Sequence, residues 1–318
     1  MFSVSVTAPS RLHFGLLSFG RPGVRQFGGA GVMIERPGLR LKITPNNSFQ
    51  VVGPLRERVR TIADRYRRFW ELSALPGCTV EILDAPPEHV GLGTGTQLTL
   101  AVVAGLDRFR SVEPLDIAEL AHLAGRAARS AVGTYGFALG GLLIEPGKLE
   151  CEPVAPLEHR IELPDAWRFV LVMPARERGL SGDAERAAFG DLPAVSAETT
   201  AALVAELAEE LIPAATEGQF DRFSESLYRY GHAAGMCFAA RQGGPFASPR
   251  VAQLIETIRS LKVRGVGQSS WGPTVFAVLP SEAAADDLVA RLRPHLGDED
   301  QALVTAVCRS GARIEVVD

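Results

Sequence analysis

The stretch His89-Val-Gly-Leu-Gly-Thr-Gly-Thr-Gln-Leu-Thr-Leu-Ala-Val-Val-Ala-Gly-Leu106 places Gly91, Gly93 and Gly95 at alternate positions ahead of an apolar helical run. Glycine lets the backbone approach an anion with no Cβ in the way. The free amides at the start of the following helix add donors and a partial positive charge of about half a unit. The stretch therefore reads as a loop that can hold phosphate, with the hydroxyls of Thr94 and Thr96 as further donors or magnesium ligands. It is not a Walker loop, since no Gly-Lys-Ser/Thr follows, and not the dinucleotide fingerprint, since position 96 is Thr. A tight turn without a ligand is the competing reading of the glycines alone.

Outward from the loop, the first half of the chain reads as strands followed by helices. Phe2, Val4 and Val6 alternate with polar residues over 2–7, as do Leu39, Leu41 and Ile43 over 39–44, and a third strand is expected over 78–83. A charged helix is expected over residues 55–72 and the post-loop helix over Gln97–Arg110. Asp116, with Glu119 three residues on, caps another helix that turns Ile117, Leu120, Ala121 and Ala124 to one face. The proline-bearing stretch near 152–168 lacks periodicity and marks the expected boundary between a domain at 1–160 and a domain at 161–318.

The second half predicts a strand at Arg168–Met173, helices near 197–212 and 218–238, and a helix capped by Ser248 with Pro249 at its first position. A glycine stretch at 265–272, a strand over 274–279, a helix near 281–295 and two closing strands complete it. Antiparallel strands with helices on one face make an α+β fold.

Composition narrows the function. With 318 residues, 46% of them hydrophobic, the chain can bury a sizeable core, and a net charge of −4 offers no general attraction to nucleic acid or anionic membrane. The arginines at 56, 58, 60, 65, 67 and 68 are broken by Glu57 and Asp64 and interleaved with apolar residues, so they read as an amphipathic solvated helix or a subunit contact. Cysteines 78, 151, 237 and 308 form no zinc spacing and point to a reduced, cytoplasmic setting. Small-molecule substrates are the expected partners, and neither a signal peptide nor a membrane span is expected.

Further candidates stand away from the loop. Arg11 and His13, just past the first strand, would point to one side of an extended continuation. Arg11 would bind diphosphate or carboxylate and His13 would orient or deprotonate a substrate, against the plain reading of a surface arginine and a core histidine. His89 would contact phosphate or bond across its turn. Gln97 would reach a ribose hydroxyl or simply open the helix. Arg176 and Arg178 suit phosphate geometry, and Asp183 or Glu185 could hold a magnesium ion (Mg2+). Ser181 and Gly182 would line the same turn, unless it is a solvated loop with Ser181 or Asp183 capping the next helix. In Gly267-Gln-Ser-Ser-Trp-Gly-Pro-Thr274, Ser269 and Ser270 would close the site beside a stacking surface, Trp271, or form a turn packed by it.

The glycine loop resembles the second motif of the GHMP superfamily of small-molecule kinases. Ala8-Pro-Ser-Arg-Leu-His-Phe-Gly-Leu-Leu17 resembles the superfamily's N-terminal motif, and Gly267–Thr274 its C-terminal glycine motif. The resemblance implies an N-terminal ribosomal-protein-like domain and a C-terminal ferredoxin-like domain. Many such kinases carry an aspartate in Ser-Gly-Val/Ile-Asp; here the stretch is Ser130-Ala-Val-Gly133, and glycine cannot accept a proton. The first motif, the loop, Gly133-Thr-Tyr-Gly-Phe with Gly140-Gly141, Gly179–Glu185 and Ser269–Thr274 together resemble β-ribofuranosylaminobenzene 5′-phosphate synthases. That resemblance implies condensation of phosphoribosyl pyrophosphate with 4-amino- or 4-hydroxybenzoate, releasing carbon dioxide and pyrophosphate, in tetrahydromethanopterin biosynthesis. It also makes a homodimer plausible. An ATP-dependent kinase of a small alcohol is the alternative, and a silent phosphate-binding protein a third.

Overall fold

Long stretches of alternating burial build the first sheet. The computed structural model describes residues 2–317 except Arg126, Ala128, Leu180 and Ser181, with only the backbone described at Asp183, Ala184 and Arg186. In chain order its first half is β1 (Ser3–Gly15), β2 (Gly29–Pro45), β3 (Gln50–Val52), α1 (Arg56–Phe69), β4 (Cys78–Asp84), α2 (Thr94–Phe109), α3 (Ile117–Ala124), α4 (Val132–Leu139), β5 (Leu142–Glu145) and β6 (His159–Ile161). Then follow β7 (Arg168–Met173), α5 (Gly182–Asp191), α6 (Ala197–Ala205) running through a π-helical turn at 206–211 into α7 (Ile212–Thr216), and α8 (Phe220–Met236). The chain continues with α9 (Ala239–Gln242), α10 (Pro249–Ser260), β8 (Val266–Gln268), β9 (Val275–Leu279), α11 (Glu282–Leu292), β10 (Gln301–Ala306) and β11 (Arg313–Val317).

Seven strands form one sheet, with order β11-β1-β2-β4-β3 and β5 and β6 branching from β2; four form a second, in order β10-β7-β9-β8. The fold is the expected two-domain α+β class. The two closing strands part company: β10 pairs with β7, whereas β11 returns to the first sheet beside β1. The chain's last strand thus joins the sheet built by its first, so the residues of the two sheets are not divided at a single point along the sequence.

β1 carries the geometry that matters. Its register against β2 shifts between Ala8 and Ser10. Before the shift, Val4, Val6 and Ala8 enter a core shared with α1 and α2. After it, Leu12 and Phe14 enter a different core, against Phe169 and Leu171 of β7, Leu227 and Tyr230 of α8 and Phe276 of β9. Side chains alternate along a strand, so Arg11 and His13 face the other way. The same shift explains why β1 runs to Gly15, well past the stretch where the apolar alternation is simple.

α2 begins at Thr94, three residues ahead of the expected start, because Gly93 takes the cap position in the left-handed conformation. The capping box at Asp116 and Glu119 forms as the spacing predicts. β5 and β6 lie in stretches where no strand is expected; β5 is buried along its whole length and so shows no alternation. The four cysteines are free. Among the described residues, no helix is long and apolar enough to cross a membrane.

Candidate active site

Three sequence segments meet because their backbones are stitched together. The Arg11 amide donates to the Leu92 carbonyl at 2.9 Å, the Ser270 amide to the His13 carbonyl at 3.0 Å, and the Thr274 amide to the Val90 carbonyl at 3.2 Å. The Ser269 hydroxyl accepts from the His13 amide at 3.0 Å and donates to the Gly91 carbonyl at 2.7 Å. These bonds join the end of β1, the glycine loop and the 269–274 turn. Gly91 sits at φ +90°, and a Cβ there would lie 2.4 Å from the Ser269 carbonyl oxygen, so only glycine lets the segments come this close.

A cavity of about 840 Å³ opens over this junction. Arg11, His13, residues 91–96 and His89, the last at φ +62°, line it. Trp271, Phe189 and Phe238 also line it, the last two standing edge-on to Trp271 with ring centroids 5.4 and 4.8 Å away. Small residues of α8, Gly231, Ala234 and Gly235, line it as well. The cavity thus pairs main-chain donors and a cation with an aromatic face.

Arg11 is the cation. Its Nε is buried and has no hydrogen-bond partner. Burial lowers its pKa to about 10, partly offset by Glu185 and Glu145, so the guanidinium stays charged at neutral pH. His13 is held well below its ordinary pKa, first by burial and then by the neighbouring Arg11 charge, and is a neutral imidazole. Its Nε2 lies 3.0 Å from the Ser130 hydroxyl. A Cβ placed on Gly133 would meet Thr96 Cγ2 at 3.3 Å, and Arg11 Cδ and Gln97 Nε2 at 3.8 Å each. The spot where a carboxylate at position 133 would project is therefore lined by Arg11 and Thr96.

Not every expected side chain is free to meet a ligand in the cavity. The Thr94 hydroxyl donates to the Pro87 carbonyl at 3.0 Å, which spends its proton on the loop itself. Gln97 is buried, does not line the cavity, and donates to the Gly133 carbonyl at 2.8 Å; it braces α2 against the start of α4 where a ribose contact was expected. Ser269 is a buried staple, whereas Ser270 lines the cavity. Arg176 and Arg178 are exposed and outside it: Arg176 lies 3.8 Å from Glu299, and Arg178 donates to the carbonyls of Ala175 and Glu177. The Gly179 amide that follows them donates to the His89 carbonyl at 2.7 Å, but neither arginine lines the cavity. Gly182 lines the cavity, and Ser181 and the Asp183 side chain lie outside the described residues.

Two arginines stand where sequence reading did not place them. Arg129 lies 3.2 Å from Glu185 Oε2 and 4.5 Å from the centre of the Phe189 ring. Arg58, read as part of a solvated helix, lines the cavity and pairs with Glu88. The adjacency of Arg129 to the Ser130–Gly133 stretch was the available signal for the first; only the fold brings α1 to the second.

Glu185, a candidate metal ligand, also accepts from Trp271 Nε1 at 3.1 Å, so both its oxygens are engaged by protein donors. Among the described residues no group of three His, Cys, Asp or Glu side chains could hold a metal ion.

Fold and site together define the class. Family models for the GHMP kinase N-terminal and C-terminal domains match residues 57–141 and 204–297, and the chain belongs to the GHMP kinase superfamily. Its architecture is shared by the phosphomevalonate kinase of Streptococcus pneumoniae, with a TM-score of 0.69 at 13% identity over 100% of both chains. Within the superfamily it is similar to β-ribofuranosylphenol 5′-phosphate synthases. The Archaeoglobus fulgidus protein is 28% identical over 97% of this chain and 98% of its own length. That of Methanothermobacter thermautotrophicus is 26% identical over 86% and 88%.

Proposed function

We propose that the protein transfers a phosphoribosyl group from phosphoribosyl pyrophosphate to the ring carbon of a para-substituted benzoate, releasing carbon dioxide and pyrophosphate. The observation that carries this reading is the make-up of the cavity: it is lined by a cation, a glycine loop with its main-chain amides, and aromatic rings, and glycine stands where an alcohol-activating carboxylate would be. The similarity to the ribofuranosylphenol phosphate synthases supports it, and their name makes 4-hydroxybenzoate the first acceptor to test.

The diphosphate lies against residues 91–96 and Arg11, and the benzoate ring against Trp271 and Phe238. As the bond from the anomeric carbon to pyrophosphate breaks, its electron pair leaves with the diphosphate, whose growing charge the loop amides and Arg11 stabilise. The para substituent pushes electrons to the carbon bearing the carboxylate, which bonds to the sugar. That carbon then sheds carbon dioxide, and the pair left behind restores aromaticity. No strong base is needed for a para-amine; a para-hydroxyl gains from His13, the neutral imidazole in the cavity, because a phenolate donates better. Magnesium is expected to enter with the phosphates of the donor.

Purified protein supplied with the ribosyl donor, 4-hydroxybenzoate or 4-aminobenzoate, and magnesium should release pyrophosphate only when donor and acceptor are both present, without ATP. Turnover of ATP with a small alcohol, and none of the ribosyl donor, would assign the chain to the superfamily's kinases instead.

A further inference from the structure

One carboxylate of the protein already stands among the aromatic rings that line the cavity. Glu185, from α5, holds Oε2 3.2 Å from Arg129 Nη2, and Trp271 Nε1–H donates to its Oε1 at 3.1 Å. All three residues line the cavity, as do Phe189 and Phe238. The Arg129 guanidinium lies over the Phe189 ring, with Cζ 4.5 Å from the ring centre. Among the described residues, Glu185 is the one polar partner of that guanidinium. The side chains of Arg129 and Glu185 are 28% and 24% exposed, so a ligand in the cavity can reach the pair, whereas Trp271 is buried and has only its indole edge to offer.

The two donors that meet on Glu185 suit a particular class of group. A buried indole N–H needs an acceptor, and a guanidinium braced on a ring is held in place to meet an anion. Together they offer one positive charge. A carboxylate carries one negative charge, whereas a phosphomonoester carries about two at neutral pH. Aromatic rings around the donors favour a flat aromatic acid over an aliphatic one. We infer that Arg129 and Trp271 Nε1 form the subsite for the acceptor's carboxylate, and that Glu185 is the internal carboxylate which the acceptor displaces.

This assignment rests on the proposed function and adds to it the groups that recognise the acceptor. The exchange is of like for like. Arg129 trades one carboxylate for another, so no partly buried charge is left unpaired, and Glu185 turns to solvent. The incoming ring brings apolar contact with Trp271 and its neighbours that the Glu185 side chain does not make. A planar aryl carboxylate also matches the fork of the guanidinium. The subsite selects benzoates over phenols whose rings are as rich in electrons, because a phenol without the acid group leaves Glu185 in place.

The test begins with binding. Calorimetric titration of the full-length protein, with pyrophosphate and magnesium present, compares 4-hydroxybenzoate with its neutral counterpart 4-hydroxybenzamide. The wild type should bind the benzoate more than about tenfold more tightly, and Arg129→Gln should abolish the preference. A wild type that binds the two alike or binds neither overturns the inference, as does a preference that survives Arg129→Gln. Glu185→Gln still accepts from Trp271 but no longer competes as an anion, so it should bind the benzoate about three- to tenfold more tightly than the wild type. Unchanged or weaker binding by that variant overturns the exchange, and it decides the matter if Arg129→Gln fails to fold. In steady-state kinetics, Arg129→Gln should raise KM for the benzoate more than about tenfold and leave KM for the ribosyl donor within about twofold. The reverse pattern gives the subsite to the donor's 5′-phosphate and also overturns the inference. If the wild type turns over no benzoate, the proposed function fails, while the titrations still decide whether Arg129 and Trp271 hold an aryl carboxylate.

Discussion

At Gly133 one residue separates two chemistries. A Cβ there would meet a Thr96 methyl at 3.3 Å, a tight contact that a shift of a few tenths of an ångström in that side chain would relieve. Gly133→Asp would put a carboxylate beside Arg11, where it competes with diphosphate for the guanidinium. The variant should fold, with Tm within a few degrees of the wild type, and should bind the ribosyl donor more than about tenfold more weakly, as read by calorimetry. Thr96→Ala is the cleaner probe of hydroxyl participation, because Thr94 already donates to Pro87.

Glu145 gives a second prediction at this scale. Burial raises its carboxyl to about 7 from an ordinary value of 4.5, against the opposing effects of Ser130, nearby amides and Arg11. Between those values the folded chain keeps a proton that the unfolded chain has released. The cost of ionising Glu145 therefore builds as pH rises from 4.5 to about 7, and is constant above. Glu145→Gln removes that cost: relative to wild type it should gain on the order of 1–3 kcal/mol between pH 5 and pH 8. Thermal unfolding at the two pH values checks this, and an identical offset at both would contradict it.

Among the elements, the glycine loop owes its shape to partners distant in sequence. Gly91→Ala forces a Cβ into the Ser269 carbonyl at an unfavourable φ and should lower stability by about 2 kcal/mol or more, with a raised KM for the ribosyl donor. Denaturant unfolding and steady-state kinetics read the two effects, and wild-type values for both would contradict this account of the loop.

The loop, the Arg11–His13 segment and the 269–274 turn were legible in sequence because each needs particular residue types: glycines for positive φ, polar residues where a strand turns its face inward. Their meeting is what the backbone bonds across 11, 92, 269 and 274 accomplish. The roles of Gln97 and Thr94 were not legible, since a polar residue at a helix start looks the same whether it faces a ligand or a neighbouring carbonyl. Arg176 and Arg178 follow from the same ambiguity: arginines beside a glycine turn suit phosphate, but the direction of the turn is set by packing.

Across the whole molecule, the cavity exists because the halves of the chain share one core. Leu12 and Phe14 of β1 pack with β7, α8 and β9, which ties the strand that carries Arg11 and His13 to the second half of the chain, whose residues Phe189, Phe238 and Trp271 line the same cavity. The α+β class and the order of most elements were readable from periodicity and caps. The return of β11 to the first sheet, the burial of Glu145 and the assembly of Phe189, Phe238 and Trp271 were not, because each depends on contacts between residues far apart in the chain. Removing one ring from that assembly should touch the acceptor alone. Phe238→Ala should raise KM for the benzoate about three- to tenfold, as expected for a lost aromatic contact, while the KM for the ribosyl donor stays within about twofold. A change confined to the donor would place the ring elsewhere.

On the proposed function, an electron-rich ring displaces diphosphate in this cavity and loses its own carboxylate in doing so. The direct measurement supplies 4-hydroxybenzoate labelled at the carboxyl carbon together with phosphoribosyl pyrophosphate, and counts labelled carbon dioxide against pyrophosphate. One labelled carbon dioxide for each pyrophosphate is the result expected. Pyrophosphate release with the label retained in the product, as in attachment through the hydroxyl or carboxylate oxygen, would contradict it.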